Sequence, residues 1–223
     1  MGIELTSTMA LAAGAAWASG INLYAALLML GVLGSTGSLT LPPDLEILAH
    51  PLVIAAAGFM YIVEFFADKT PGVDSAWDAL HTFVRIPAGA VLAAAAVGEL
   101  DPAVQLAAFI VGGTLAAGTH AAKAGSRAVI NTSPEPVTNW TASVGEDVMV
   151  VAGLWTAFNH PLVFLALLMI FVALLVWLLP KLLRALQRVY QRVRAIFGAR
   201  PVAAAASAPA LPAKPLELDN HRH

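Results

Sequence analysis

Apolar residues fill most of this chain in long runs, with the polar residues gathered between them. A helix needs about 20 apolar residues to cross the roughly 30 Å hydrocarbon core of a bilayer. The first run, Leu5 to Pro43, is uncharged and supplies one span at about 8–33 and a loop. Ile47 to Val63, extended by Phe65 to Ala67 around Glu64, supplies a second at about 48–67. Ile86 to Gly98 is too short alone, so the third span must begin near Ala79, at about 79–98. Pro102 onward gives a fourth at about 102–122. The last run is interrupted by Asn159-His160-Pro161, a tight-turn signal, and divides into spans at about 144–158 and 161–180. The pattern predicts an all-α, polytopic transmembrane helical bundle of about six spans in three hairpins, some of them short or broken.

The short spans bring charge into the membrane zone. The third takes in His81 and Arg85, and the fifth takes in Glu146 and Asp147. An unpaired charge at mid-membrane costs about 2.5–3.5 kcal/mol on insertion scales, so these groups need partners. Their similar depth predicts that Arg85 pairs with Glu146 or Asp147.

Composition agrees with the pattern. The chain is 59% hydrophobic and 12% charged, against about 25% charged in a typical soluble domain. A net charge of −2 argues against a nucleic-acid partner. There is no cysteine, which excludes disulfides and thiolate chemistry. Nothing in the sequence calls for a cofactor.

Charge also orients the bundle. The loops at about 34–49, 98–102 and 159–161 carry Asp44, Glu46, Glu99 and Asp101 and no Lys or Arg. All twelve basic residues fall at the other ends of the spans. The positive-inside rule then predicts a multi-pass protein of a bacterial cytoplasmic membrane with both termini cytoplasmic. The first residues carry Glu4 and no basic residue, so the first span is read as retained.

Beyond the sixth span, residues 181–200 read as a cytoplasmic basic amphipathic helix, and 201–223 as a disordered tail. Arg184, Arg188 and Arg192 lie four residues apart and suit anionic headgroups, which makes membrane lipids the expected partner. A partner helix is the rival reading, and a homo-oligomer is left open.

Candidate chemistry concentrates in two places. The segment Glu64-Phe-Phe-Ala-Asp68-Lys69-Thr70-Pro71-Gly72-Val73-Asp74 breaks at Pro71-Gly72, after which Asp74 can receive backbone N–H groups at a new helix start. Asp74, Asp78, His81 and Arg85 follow at steps of four, three and four, which is one helical face. Further on, His120, Lys123 and Arg127 share a face, followed by a hydroxyl-rich loop with Asn131, Ser133 and Glu135, then Glu146 and Asp147. Asp68, Lys69 and these residues form the candidate solute or ion pathway. Ser19, Gly20 and Asn22 inside the first span form a candidate helix break or packing contact. Gly20 to Trp77 and Gly89 to Val137 share an outline that suggests an internal repeat.

Three blocks carry a family resemblance: Ala18-Ser-Gly-Ile-Asn-Leu-Tyr24, then Glu64 to Asp74 with Trp77-Asp78, and Ala124-Gly-Ser-Arg-Ala-Val-Ile-Asn-Thr-Ser-Pro-Glu-Pro136. They resemble the signature blocks of the bacterial membrane proteins catalogued as domain of unknown function 4126, over about residues 8–180. The resemblance implies a membrane protein and supplies no catalytic residues. The leading functional expectation is therefore physical: a small-solute or ion transporter or channel. The alternatives are a membrane enzyme acting on a lipid or polyprenyl-phosphate headgroup, and a membrane scaffold. No H-E-x-x-H, G-x-S-x-G or P-loop motif supports the enzyme, and the acids and histidines leave metal binding undecided.

Overall fold

The computed structural model describes residues 2–70, 72–131 and 136–198. The chain divides into two units, Met1–Leu186 and Gln187–His223. The first is a helical bundle. Of the second, the helical residues 187–198 are described, and the expected tail at 201–223 lies outside the described residues.

Among the described residues, six α-helices follow one another: α1 (Gly2–Ser35), α2 (Pro51–Ala67), α3 (Val73–Ala96), α4 (Pro102–Ile130), α5 (Pro136–Asn159) and α6 (Pro161–Gly198). A short 3-10 helix, η1 (Pro43–Ala49), precedes α2. No strand occurs among the described residues. Proline opens η1 and every α-helix except α1 and α3, because the first turn needs no N–H from it and its fixed φ suits the helix. Two starts are also capped. The His50 ring accepts from Leu52 N at 3.2 Å, and Asp101 Oδ1 accepts from Ala103 N at 2.8 Å.

Among the described residues, four helical segments are long and apolar enough to cross a membrane: Glu4–Ser35, Val73–Ala96, Pro102–Ile130 and Pro161–Lys181. A fifth crossing arises if η1 and α2, bent by 68° at their junction, are one broken span. The fold class is the expected one, with four or five candidate spans against about six expected. The difference has physical causes. α2 is only 17 residues long. α5 carries Glu146 and Asp147 within its length.

α1 is the centre of the bundle and packs against α2, α3, α4 and α5. Its inner face is built from small residues, including Ala15, Ala16, Ala18 and Ala26, all fully buried. α3 and α4 lie against each other most intimately. Small side chains permit this. A Cβ added at Gly112 would strike the Cβ of Ala93, and one added at Gly20 would strike Thr119 and the Ala116 carbonyl of α4. Such contact of backbone with backbone is how membrane helices gain packing energy without help from water. α6 is held to α1 through Trp17, whose ring meets Phe164 and Phe171 edge-on at 6.0 and 6.3 Å.

α1 is not continuous. Asn22 has φ −145° and ψ 96°, outside the helical region, and divides the helix in two. At the other charged segment, Gly72 takes φ 85°, a left-handed conformation that glycine adopts without a steric penalty, and α3 starts from it.

Candidate functional site

Helical spacing places Asp74, Asp78, His81 and Arg85 on the inner face of α3, and all four are buried. His120, Lys123 and Arg127 do the same on α4. These two stripes face α2 and α5, and the result is one charged cluster inside the bundle.

Arg85 is completely buried. Its Nη2 pairs with Glu64 Oε1 on α2, and its Nη1 donates to Asp78 Oδ1 at 3.0 Å. This corrects the expected pairing with Glu146 or Asp147. α3 packs against α2, so the guanidinium meets Glu64 first. Glu146 goes to Arg127 instead, accepting from its Nε at 3.2 Å and its Nη2 at 2.7 Å. Asp147 accepts from Asn22 Nδ2 at 2.9 Å, at the break in α1. The side chains at 146 and 147 thus leave α5 toward different partners.

Lys123 is the hub. Its Nζ donates to Asp68 Oδ2 at 2.7 Å and lies 3.5 Å from Glu64 Oε1, 3.5 Å from Glu146 Oε2 and 3.8 Å from Asp78 Oδ1. Arg127 Nη1 also donates to the Asp68 carbonyl at 3.1 Å and the Asn139 carbonyl at 3.2 Å, and it meets Asn139 Oδ1. Four helices, α2 to α5, therefore share one electrostatic knot. Buried charges are tolerable in this form because each has opposite charge and hydrogen bonds around it.

The knot is not fully satisfied. Glu64 Oε2, Asp68 Oδ1, Asp78 Oδ2, Arg85 Nε and Asn139 Nδ2 are buried without a hydrogen-bond partner. Such groups are uncommon in native interiors and mark places of strain or function.

The two histidines sit at the edge of the knot. His81 Nδ1 lies 2.9 Å from the Trp77 carbonyl, which can only accept, so this nitrogen carries the hydrogen. In the neutral ring Nε2 then accepts from the Tyr24 hydroxyl at 3.1 Å. His120 has the opposite tautomer. Its Nδ1 faces Arg85 Nη1 at 3.2 Å and must accept, so Nε2 donates to Thr82 Oγ1 at 2.8 Å. The Thr82 hydroxyl donates in turn to the Asp78 carbonyl at 3.0 Å.

The end of α4 is joined to the start of α3. Asn131 Nδ2, at the end of α4, reaches Asp74 Oδ1 and Oδ2 at 2.9 and 2.8 Å and Ser75 Oγ at 3.0 Å. Asp74 Oδ1 also accepts from Gly72 N and Ser75 N. Lys69 Nζ donates to Ser143 Oγ at 3.1 Å and to the Phe65 carbonyl at 3.2 Å. Burial pulls the Lys69 ammonium below the ordinary lysine value, against the opposing pull of Asp147 and Asp68. Ser133 and Glu135 lie outside the described residues.

Ser19 Oγ donates to the Arg85 carbonyl at 2.8 Å, which ties α1 to α3 beside the knot. Gly20 is a packing contact with α4, and Asn22 is the break itself. Among the described residues no group of three His, Asp or Glu is arranged to hold a metal ion. On α6, Arg184 and Arg188 are exposed, while the Arg192 side chain lies outside the described residues.

Glu64, Asn139, Ser143 and Tyr24 belong to the site and are absent from the candidate set read from sequence. Glu64 had a signal: it is the lone charge inside an otherwise apolar span, and an intramembrane ionisable residue is a site candidate by default. Asn139 and Ser143 had none beyond their neighbourhood, because polar residues near a helix start are common.

Residues 9–181 match the model of the family described as Domain of unknown function (DUF4126), and the chain belongs to that family. No curated protein and no solved structure matches the chain.

Proposed function

We propose that this DUF4126 protein is a transporter of a small solute or ion in a bacterial cytoplasmic membrane, with both termini on the cytoplasmic side. The charged cluster of α2–α5 is its pathway site. One observation carries the reading: a buried, incompletely satisfied charge network lies beside a non-helical break in the central helix. Membrane bundles rarely hold such charge except where ions or substrates pass. Broken helices are a recurrent device for exposing backbone groups to a transported species.

The burial of Glu64, Arg85 and Asp74 favours a transporter that alternates between closed and open states over a standing pore. The other two readings fit less well. A headgroup enzyme needs its carboxylates open to the interface, and these are enclosed. A purely structural lock needs no carboxylate oxygen left over, and Glu64, Asp68 and Asp78 each keep one.

The test is solute and ion uptake into proteoliposomes, comparing wild type with Asp74→Asn and Glu146→Gln. Uptake above empty vesicles that falls in both variants is the expected outcome. Flux indifferent to both changes, in correctly folded protein, defeats the assignment of the pathway.

A further inference from the structure

The charge inventory around Lys123 does not balance. Glu64, Asp68, Asp78, Glu146 and the adjoining Asp147 supply five carboxylates. Lys123, Arg85, Arg127 and Lys69, which Asp147, Asp68 and Glu146 attract, supply four cations. His120 cannot make up the difference, because its Nδ1 is held as an acceptor by Arg85. One negative charge is therefore left among side chains that are buried or half-buried. The excess also has an address. Among the described residues, the buried carboxylate oxygens without a partner are Glu64 Oε2, Asp68 Oδ1 and Asp78 Oδ2, one on each of three acids that surround the same ammonium. Glu146, which gives both oxygens to Arg127, has none.

We infer that this knot is a proton-binding site, in which one proton is held on the Glu64 carboxyl, the most deeply buried of the three. Binding is a simple addition. A proton leaves water, an O–H bond forms on Glu64 Oε2, and the knot gains one positive charge and becomes neutral. Release reverses each change. The proton also converts an orphaned acceptor into a donor.

The environment favours a proton over a larger cation. Glu64 faces Arg85 and Asp78 from α3, Lys123 from α4 and Asp68 from its own helix, with Tyr24 of α1 and Tyr61 within electrostatic reach. His120, Glu146 and Arg127 complete the ring through Arg85 and Lys123. A metal ion needs several oxygens converging on one point, and among the described residues no such group of three is present. A proton needs only one oxygen.

The inference deepens the transport reading by naming the ion, but proton occupancy can be measured without any flux. The experiment is infrared difference spectroscopy of the full-length protein in lipid bilayers between neutral and alkaline pH. A carboxylic-acid carbonyl band should be present at neutral pH and vanish on the alkaline side. Isotope labelling of glutamate carboxyls should shift it, which assigns it without a mutation that risks misfolding. Glu64→Gln should remove it and Asp78→Asn should displace it, while Asp101→Asn should leave it alone. Absence of any such band in folded, labelled wild-type protein overturns the inference. So does a band that survives unchanged in Glu64→Gln.

Parallel uptake assays keep the two proposals apart. A carboxylic-acid band with no transport of any solute upholds the proton site and defeats the transporter. Transport driven by sodium, without the band, upholds the transporter and defeats the proton site.

Discussion

Arg127 grips Glu146 with two parallel hydrogen bonds, of 3.2 and 2.7 Å, across the gap between α4 and α5. A planar guanidinium matched to both oxygens of a carboxylate is the strongest form an ion pair takes in proteins. Removing one partner of a buried pair strands the other, at a cost of about 3–5 kcal/mol. Arg127→Ala and Glu146→Ala should therefore each lower thermal stability in detergent markedly. The swapped double variant, Arg127→Glu with Glu146→Arg, should recover part of the loss. Single variants as stable as wild type would remove the pair from the account of the fold.

Arg85 offers a sharper test of partner choice. A double-mutant cycle between Arg85→Gln and Glu64→Gln should give a coupling energy of about 0.5–3 kcal/mol, the range for residues in direct contact. The cycle between Arg85→Gln and Asp147→Asn should give much less, since Asp147 is engaged by Asn22. Equal coupling in the two cycles would restore the pairing expected from depth alone.

Gly20 leaves no room for a side chain. An added Cβ meets the Thr119 side chain and also the Ala116 carbonyl, and the backbone cannot rotate away. Gly20→Val should destabilise the bundle by about 1–3 kcal/mol through overpacking. Thr119→Ala, introduced into the same chain, should relieve only part of it. Melting temperatures of the single and double variants decide the matter. Full rescue would mean the carbonyl contact is unimportant.

Asn131 holds the end of α4 to the start of α3, and its amide faces a carboxylate. Hydrogen bonds to charged groups contribute about 1.5–3 kcal/mol. Asn131→Ala should loosen the start of α3, read as faster amide hydrogen exchange over residues 72–78. Exchange at α6 should stay unchanged, which separates a local effect from general unfolding.

Much of the site is legible in the sequence because helical period alone determines which residues share a face. Asp74, Asp78, His81 and Arg85 announce an inner stripe, and so do His120, Lys123 and Arg127. Spacing cannot say how the stripes turn toward one another. That depends on interhelical packing, where Gly20, Gly89 and Gly112 let α1, α3 and α4 approach until their backbones touch. Arg85 consequently meets Glu64 rather than Glu146. Hydropathy locates the apolar runs well. The helices α3 and α5 begin before the apolar runs that hydropathy marks, and their first turns bury Asp74, Asp78, Asn139 and Ser143.

The knot also bears on how the chain is made. α2 emerges from the ribosome before α3 and α4, and it carries Glu64, with Asp68 at its C-cap, and no basic residue inside the helix. The cation that answers Glu64 lies 21 residues downstream, and the one that answers Asp68 lies 55 downstream. Until those arrive, α2 brings a bare carboxylate into the insertion machinery, which disfavours its release into lipid. α2 is thereby bound to wait for its successors. The four helices should enter the bilayer as a set, with the ion pairs timing the handover.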